Sequence, residues 1–218
     1  YFTKNISSQG LINLYNAVGK KLEGKVAVKV HSGEPGGNNY VKPNMMKDLV
    51  HLVKGTIVEC NTAYHGKRDF TADHEKALKD HGFYNIANVD IMDSEGEEKL
   101  AVRNGKHLKF NLVGTHLKNY DSMLMLSHFK GHAMGGFGGA LKNMSIGVAS
   151  RNGKANIHSA GKTCNPDLLW SSLPEQDYFL ESMAEADSTI IDFFKGNMVF
   201  IDCMINLSID CDCDSHPE

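Results

Sequence analysis

The densest chemistry in this 218-residue chain lies at residues 127–148, SHFKGHAMGGFGGALKNMSIGV. Gly131, Gly135, Gly136, Gly138 and Gly139 let backbone N–H groups approach a ligand closely, and near a helix start such groups point at an anion. His128 and His132 are four residues apart and would share a face if helical. Lys142 falls inside the start of the helix expected next. There it could contact phosphate or carboxylate, or act as a nucleophile if desolvated. The pattern is neither a Walker loop nor a Rossmann fingerprint, since Leu141 stands where the third glycine would be. Gly135, Gly136, Gly138, Gly139, Lys142 and Asn143 therefore form a candidate cradle for an anionic cofactor. The plainer alternative is glycines that only admit close helix–sheet packing, beside solvated histidines.

A second constellation is Asp210-Cys-Asp-Cys-Asp-Ser-His216. In extended chain Cys211 and Cys213 project to one side, and thiolate with imidazole suits zinc or an iron–sulphur centre. C-x-C is an incomplete ligand set, and Cys60, at the end of an expected strand on the same sheet edge, is the candidate further ligand. A solvated acidic tail with reduced thiols is the alternative. Arg68, in the loop at 61–71, could clamp a carboxylate or phosphate bidentately, oriented by Thr62, Tyr64 and His65. Glu34, among the glycines of residues 31–39, could be a carboxylate ligand or base. Solvation is the alternative for both loops. His51, His74, His81 and His107 read as surface positions, Cys203 as a core thiol. Ser127 and Ser145 lack a nucleophile elbow, so a serine hydrolase is unsupported.

The elements that must position these residues alternate. Helical patterns cover 9–22, 43–53 and 71–81, the helix entered from the glycine-rich loop at 135–149, and a helix opened by a capping box at Ser172-Leu-Pro-Glu175. Strand patterns cover 26–30, 56–60, 85–92, 99–102, 122–127 and 198–205. This predicts an α/β fold, a mostly parallel sheet flanked by helices, in a single domain over 1–218. Residues 93–118 or so break the alternation as a small β-hairpin excursion. Ligands of such sheets collect at the carboxyl ends of strands. That rule selects residues 31–39, 61–71, 128–139 and 207–218, all rich in Gly, His, Asp or Cys.

Composition bounds the partners. With 41% hydrophobic and 22% charged residues the chain is globular. Its 23 basic and 26 acidic side chains nearly cancel and form no like-charge block, which argues against a nucleic-acid surface. No apolar run approaches the roughly 18 residues of a membrane span, and no signal-peptide layout opens the chain. Five cysteines, an odd number in a chain this long, argue against a disulfide framework and for a reducing cytoplasm. Of the 11 histidines, His128, His132 and His158 gather around the glycine-rich loop and its helix.

Residues 129–143, with Val58-Glu-Cys-Asn-Thr62 and Asp210-Cys-Asp-Cys-Asp214, closely resemble the prokaryotic domain of unknown function family 362. Its members are often described as iron–sulphur or ferredoxin-associated proteins. The resemblance covers nearly the whole chain and implies an α/β fold, an intracellular location, and truncation at Glu218, since that family normally continues past the Cys-Asp-Cys segment. The extra clustered cysteines of its ferredoxin-bearing members are absent from this sequence. His132, Gly136-Phe-Gly-Gly139, Lys142 and His158 also resemble, in order and spacing, the lactate racemase family that uses a nickel pincer nucleotide. That resemblance implies His132 as acid/base, Lys142 as covalent cofactor anchor and His158 as metal ligand, with hydride removed from a 2-hydroxy acid and returned to the other face. His65 and His74 are the nearest counterparts of that family's other catalytic histidine.

The expectation is a cytoplasmic protein with a small anionic ligand and no nucleic-acid or membrane partner. It binds a metal ion, an iron–sulphur cluster or a metal-containing anionic cofactor at the carboxyl edge of its sheet, with Cys60, Cys211, Cys213 and His158 as candidate metal ligands. One alternative is a racemase- or isomerase-like enzyme for a small 2-hydroxy acid, with His132 and Lys142 catalytic. The other is a non-catalytic small-molecule-binding domain.

Overall fold

A computed structural model describes residues 1–207. The strands in chain order are β1 (Val26–Lys29), β2 (Thr56–Glu59), β3 (Val89–Ile91), β4 (Glu97–Ala101), β5 (Phe110–Gly114), β6 (Ser122–His128), β7 (Lys130–His132), β8 (Gly136–Gly138) and β9 (Met198–Cys203). The α-helices are α1 (Ser8–Val18), α2 (Pro43–Leu52), α3 (Thr71–Asp80), α4 (Ala140–Val148), α5 (Arg151–His158) and α6 (Gln176–Phe193). No helix among the described residues is long and apolar enough to cross a membrane.

Five strands form a parallel sheet in the order β3-β2-β1-β6-β9. The α/β architecture is therefore the one the alternation predicts. β6 is buried at all seven positions, as a continuous apolar run between two helical layers must be. Alternation along the strands splits the core. Val28, Ile57, Leu124 and Val199 face α1, α2 and α3. Ala27, Val58, Met123 and Met125 face α4, α6 and the β4–β5 hairpin. That antiparallel hairpin is the excursion expected at 93–118.

From β1 the chain steps outward to β2 and β3, returns to β6 beside β1, and moves the other way to β9. The loops after β1 and β6 thus leave in opposite directions and open a crevice at the strands' carboxyl ends.

Several local expectations are corrected. α1 stops at Val18 rather than 22, because Gly19 takes φ +71 and its N–H closes on the Asn16 carbonyl. The glycine-rich loop contains a second antiparallel hairpin, β7 with β8, turning near Gly136 at φ +73. α5 was not foreseen; Ala149 breaks from α4 in an extended conformation, and the Ser150 side chain then caps a new helix by accepting from the Gly153 N–H. The capping box at Ser172 does not form. Pro174 disfavours helical backbone at the residue before it, and α6 begins at Gln176 with no side-chain cap bond.

Candidate functional site

Three of the four selected loops, those after β1, β2 and β6, converge with α4 and α5 around a cleft of about 740 Å³. The fourth, including Cys211 and Cys213, lies outside the described residues except for Leu207.

The cleft floor is a buried ion pair. Lys29 ends β1 and Glu59 ends β2; the Lys29 Nζ lies 2.7 Å from the Glu59 Oε2. The same ammonium donates to the Asn143 Oδ1 at 2.9 Å and to the Val30 carbonyl at 2.5 Å. The Glu59 Oε1 accepts the Ser32 N–H at 2.9 Å. Burial alone would push the Glu59 carboxyl up, but Lys29, aided by Arg68, holds it well below the usual carboxylate range. Asn143 also donates from its Nδ2 to the Ser127 Oγ at 3.0 Å and to the Lys29 carbonyl at 3.3 Å. α4 approaches this closely because residue 147 is glycine: a Cβ there would sit 2.6 Å from the Asn143 Oδ1 and 2.8 Å from the Lys29 Nζ.

His74 is fully buried behind this floor, not on the surface. Its Nε2 and Nδ1 lie 3.3 Å from the Ser32 Oγ and the Asn61 Oδ1. Burial pulls it down to about 3, so the ring is neutral. It shares the inner face of α3 with Ala77 and Leu78, three and four residues on. His81 likewise turns inward, bonding the Ser32 carbonyl and stacking on Tyr40. His107 is partly covered and paired with Glu181.

Arg68 is a clamp, and the carboxylate it holds is the chain's own Glu34. Its Nε donates to the Glu34 Oε2 at 3.2 Å and its Nη2 to the Glu34 Oε1. The Tyr64 hydroxyl donates to the same Oε1 at 2.5 Å and accepts from the Arg68 Nη2 at 2.8 Å. Burial opposes the charge on Glu34, but Arg68 outweighs it and keeps the carboxyl below its ordinary value. Thr62 fixes the loop from within: its N–H donates to the Arg68 carbonyl and its hydroxyl to the Tyr64 carbonyl.

The opposite wall carries His132, Lys142, Lys154 and His158, all lining the cleft. The His132 Nδ1 accepts the Gly135 N–H at 2.9 Å, which leaves Nε2 as the protonated nitrogen of the neutral ring. His158 has the opposite tautomer. Its Nδ1 donates to the Lys154 carbonyl at 2.7 Å, so Nε2 keeps its lone pair. Burial pulls His158 down to about 4, against the Lys154 carbonyl bond, and the charge of Lys142 adds to the fall. One ring thus offers a donor and the other an acceptor. The stem of Lys142 passes beside Gly138, where an added Cβ would lie 3.6 Å from its Cδ. The Lys154 ammonium is buried, donates to the Ala149 carbonyl at 2.6 Å, and holds its proton less tightly than an ordinary lysine because of that burial.

Gly138, Gly139, Asn143 and Arg68 line the same cleft, whereas Gly135 and Gly136 shape the hairpin turn and do not. The start of α4 is already met by a side chain, for Asp202 on β9 accepts the Ala140 N–H, while burial raises its carboxyl above the ordinary value. Cys60 lines the cleft, but its thiol is buried and donates to the Val148 carbonyl at 3.3 Å; burial pushes it far above its ordinary value. Cys203 is buried in the sheet. Among the described residues no three His, Cys, Asp or Glu side chains converge as a metal site.

Lys29, Glu59 and Lys154 were missed in the sequence. The first two carried a signal: each is a charge ending an otherwise apolar strand, VAVK and TIVE, at the edge where ligands collect.

Residues 26–218 match the model of a family described as Domain of unknown function (DUF362). The chain belongs to this family. No curated protein matches this DUF362 chain. Among solved structures it is similar to the lactate racemase apoprotein from Thermoanaerobacterium thermosaccharolyticum, with a TM-score of 0.57 and 14% identity. The match covers 92% of this chain and 49% of that one, so the DUF362 chain spans about half that protein's length. At this identity the likeness is one of fold.

Proposed function

We propose that the cleft binds a small anionic molecule, a cofactor or a ligand, on its lysine-rich walls. One observation carries this. Among the described residues Lys29, Arg68, Lys130, Lys142 and Lys154 line the cleft against only Glu34 and Glu59, in a chain whose net charge is −3. Both carboxylates are spoken for by Lys29 and Arg68. A concave site of one sign focuses its field and concentrates the opposite ion. The geometry suits a metal carried within such an anion better than a bare ion. A bare zinc-type ion needs three or four protein donors, whereas this wall offers the His158 Nε2 lone pair. A metal so carried would supply an electron-accepting centre, with His158 as its protein ligand and Lys142, Asn143 and Gly139 around the anion. An iron–sulphur centre through Cys60 is less well supported, because that site favours the protonated thiol.

The opposite tautomers of His132 and His158 favour a second reading, a racemase- or isomerase-like enzyme for a small 2-hydroxy acid. His132 would exchange a proton with the substrate hydroxyl while the lysines hold its carboxylate. The shared fold with the lactate racemase apoprotein supports this reading.

Calorimetric titration with inorganic pyrophosphate tests the first reading. Lys142→Met should weaken binding about tenfold, the worth of a charged hydrogen bond. Absence of binding at low salt would sink it. For the second, metal-loaded protein is offered single enantiomers of 2-hydroxy acids. Interconversion that survives His132→Ala, or none with any substrate, removes that reading.

A further inference from the structure

Lys130, His132 and Met134 reach the cleft from the β7–β8 hairpin rather than from the central sheet or a helix. We propose that this hairpin is a hinged lid, latched to α6 at its tip, which opens to admit the ligand and sets His132 in place when it closes. The motion belongs to the chain itself; its use as a gate rests on the anion reading.

The hairpin is the least supported element of the site. Each of its strands has three residues, and among the described residues they pair only with each other. A lone two-stranded ribbon is marginally stable in water, so its attachments decide where it rests. The base is held at two points. The Phe129 N–H donates to the Cys203 carbonyl of β9 at 3.0 Å, and the Gly139 carbonyl accepts the Asn143 N–H of α4 at 2.9 Å. These points lie side by side, for a Cβ added at Gly139 would sit 3.0 Å from the Phe129 Cδ2. Two adjacent pivots define one axis, and the ribbon can turn about it as a unit. Phe137 stacks on Phe129 near that axis and leaves half its surface in solvent, so the outer side of the ribbon is unpacked.

The tip is held from α6. Met134 packs against the apolar cluster that includes Ile146, Phe179 and Met183. Its carbonyl accepts the Gln176 Nε2 at 2.9 Å, an exposed bond. One partly buried side chain and one exposed hydrogen bond make a latch that favours closure yet releases. The latch also sets the reactive groups. His132 is tied to the tip through the Gly135 N–H, and Phe179 of the latching cluster stacks on the His158 ring at 5.0 Å. A seated tip therefore registers His132 against His158.

The test is relaxation-dispersion NMR on the full chain with isotopically labelled methionine methyls, the Met134 signal being assigned by its loss in Met134→Leu. Met134 should show exchange on the microsecond-to-millisecond timescale of lid motions. Met123 and Met125, sealed in β6, should stay flat. Gln176→Ala should raise the open population about threefold, the worth of one exposed hydrogen bond. A flat Met134, exchange shared equally with Met123 and Met125, or no response to Gln176→Ala would overturn the inference. The measurement on the unmodified chain stands whether or not a variant folds. Pyrophosphate at saturating concentration should suppress the Met134 exchange. Binding, read by calorimetry, that leaves the exchange untouched removes the gate and spares the anion reading. If pyrophosphate does not bind, the anion reading and the gate fall together, and the Met134 signal alone decides the hinge.

Discussion

The two walls of the cleft are built on opposite plans. On the β1–β2 side the charges answer one another: Lys29 with Glu59, Arg68 with Glu34 and Tyr64. On the α4–α5 side His132, His158 and Lys154 each make one internal bond and line the cavity with capacity to spare. A charge that is already matched holds shape; a group with donors or lone pairs left over can meet a ligand. The difference separates a frame from a reactive wall within one pocket.

Breaking the frame should be the most damaging change. Lys29→Met strands the Glu59 carboxylate in the core, and should cost about 3–5 kcal/mol in urea denaturation. Adding Glu59→Gln should restore much of that loss. A single-variant cost under about 1 kcal/mol would mean the pair is not the frame. Gly147→Ala drives a methyl into the Lys29–Asn143 contact and should destabilise by about 1–3 kcal/mol. Full stability would show that α4 can retreat without effect.

Acid should act on the reactive wall as well. His158 is held at about 4 when folded, below the ordinary histidine value near 6.5, so the unfolded chain takes up the proton first. Its contribution is intact above pH 6.5 and falls as pH drops toward 4. His158→Phe, which keeps an aromatic face for Phe179, should flatten the stability loss over that window by about 1–3 kcal/mol. An unchanged slope would assign the loss to other groups, His74 first. The smallest effect is expected at Glu34, partly open to solvent. Glu34→Gln releases charge on Arg68 and should tighten pyrophosphate binding about two- to fivefold, read by calorimetry. No change would place Arg68 wholly within the frame.

The sheet was legible because its strands are short apolar runs between helical patterns, and β6 is apolar enough to declare itself buried. The three converging loops followed from one topological rule. What escaped depended on distance along the chain. Lys29 and Glu59 are 30 residues apart and meet only when β1 and β2 lie side by side. Cys60 looked like a metal ligand until folding brought the Val148 carbonyl, 88 residues away, onto its thiol. α5 and His74 were different failures. Ser150 did carry a cap signal, and the spacing of His74, Ala77 and Leu78 did place the histidine inward.

Asn143 binds three elements with one amide: Lys29 of β1, Ser127 of β6, and its own α4, one residue from Lys142. It works as a rivet through the seam where the chain reverses direction. A load applied at Lys142 is therefore carried into the two central strands rather than absorbed in the loop. The amide protons of β1 and β6 should consequently exchange more slowly with deuterium when the cleft is filled, so that occupancy of the mouth is written in the spine of the sheet.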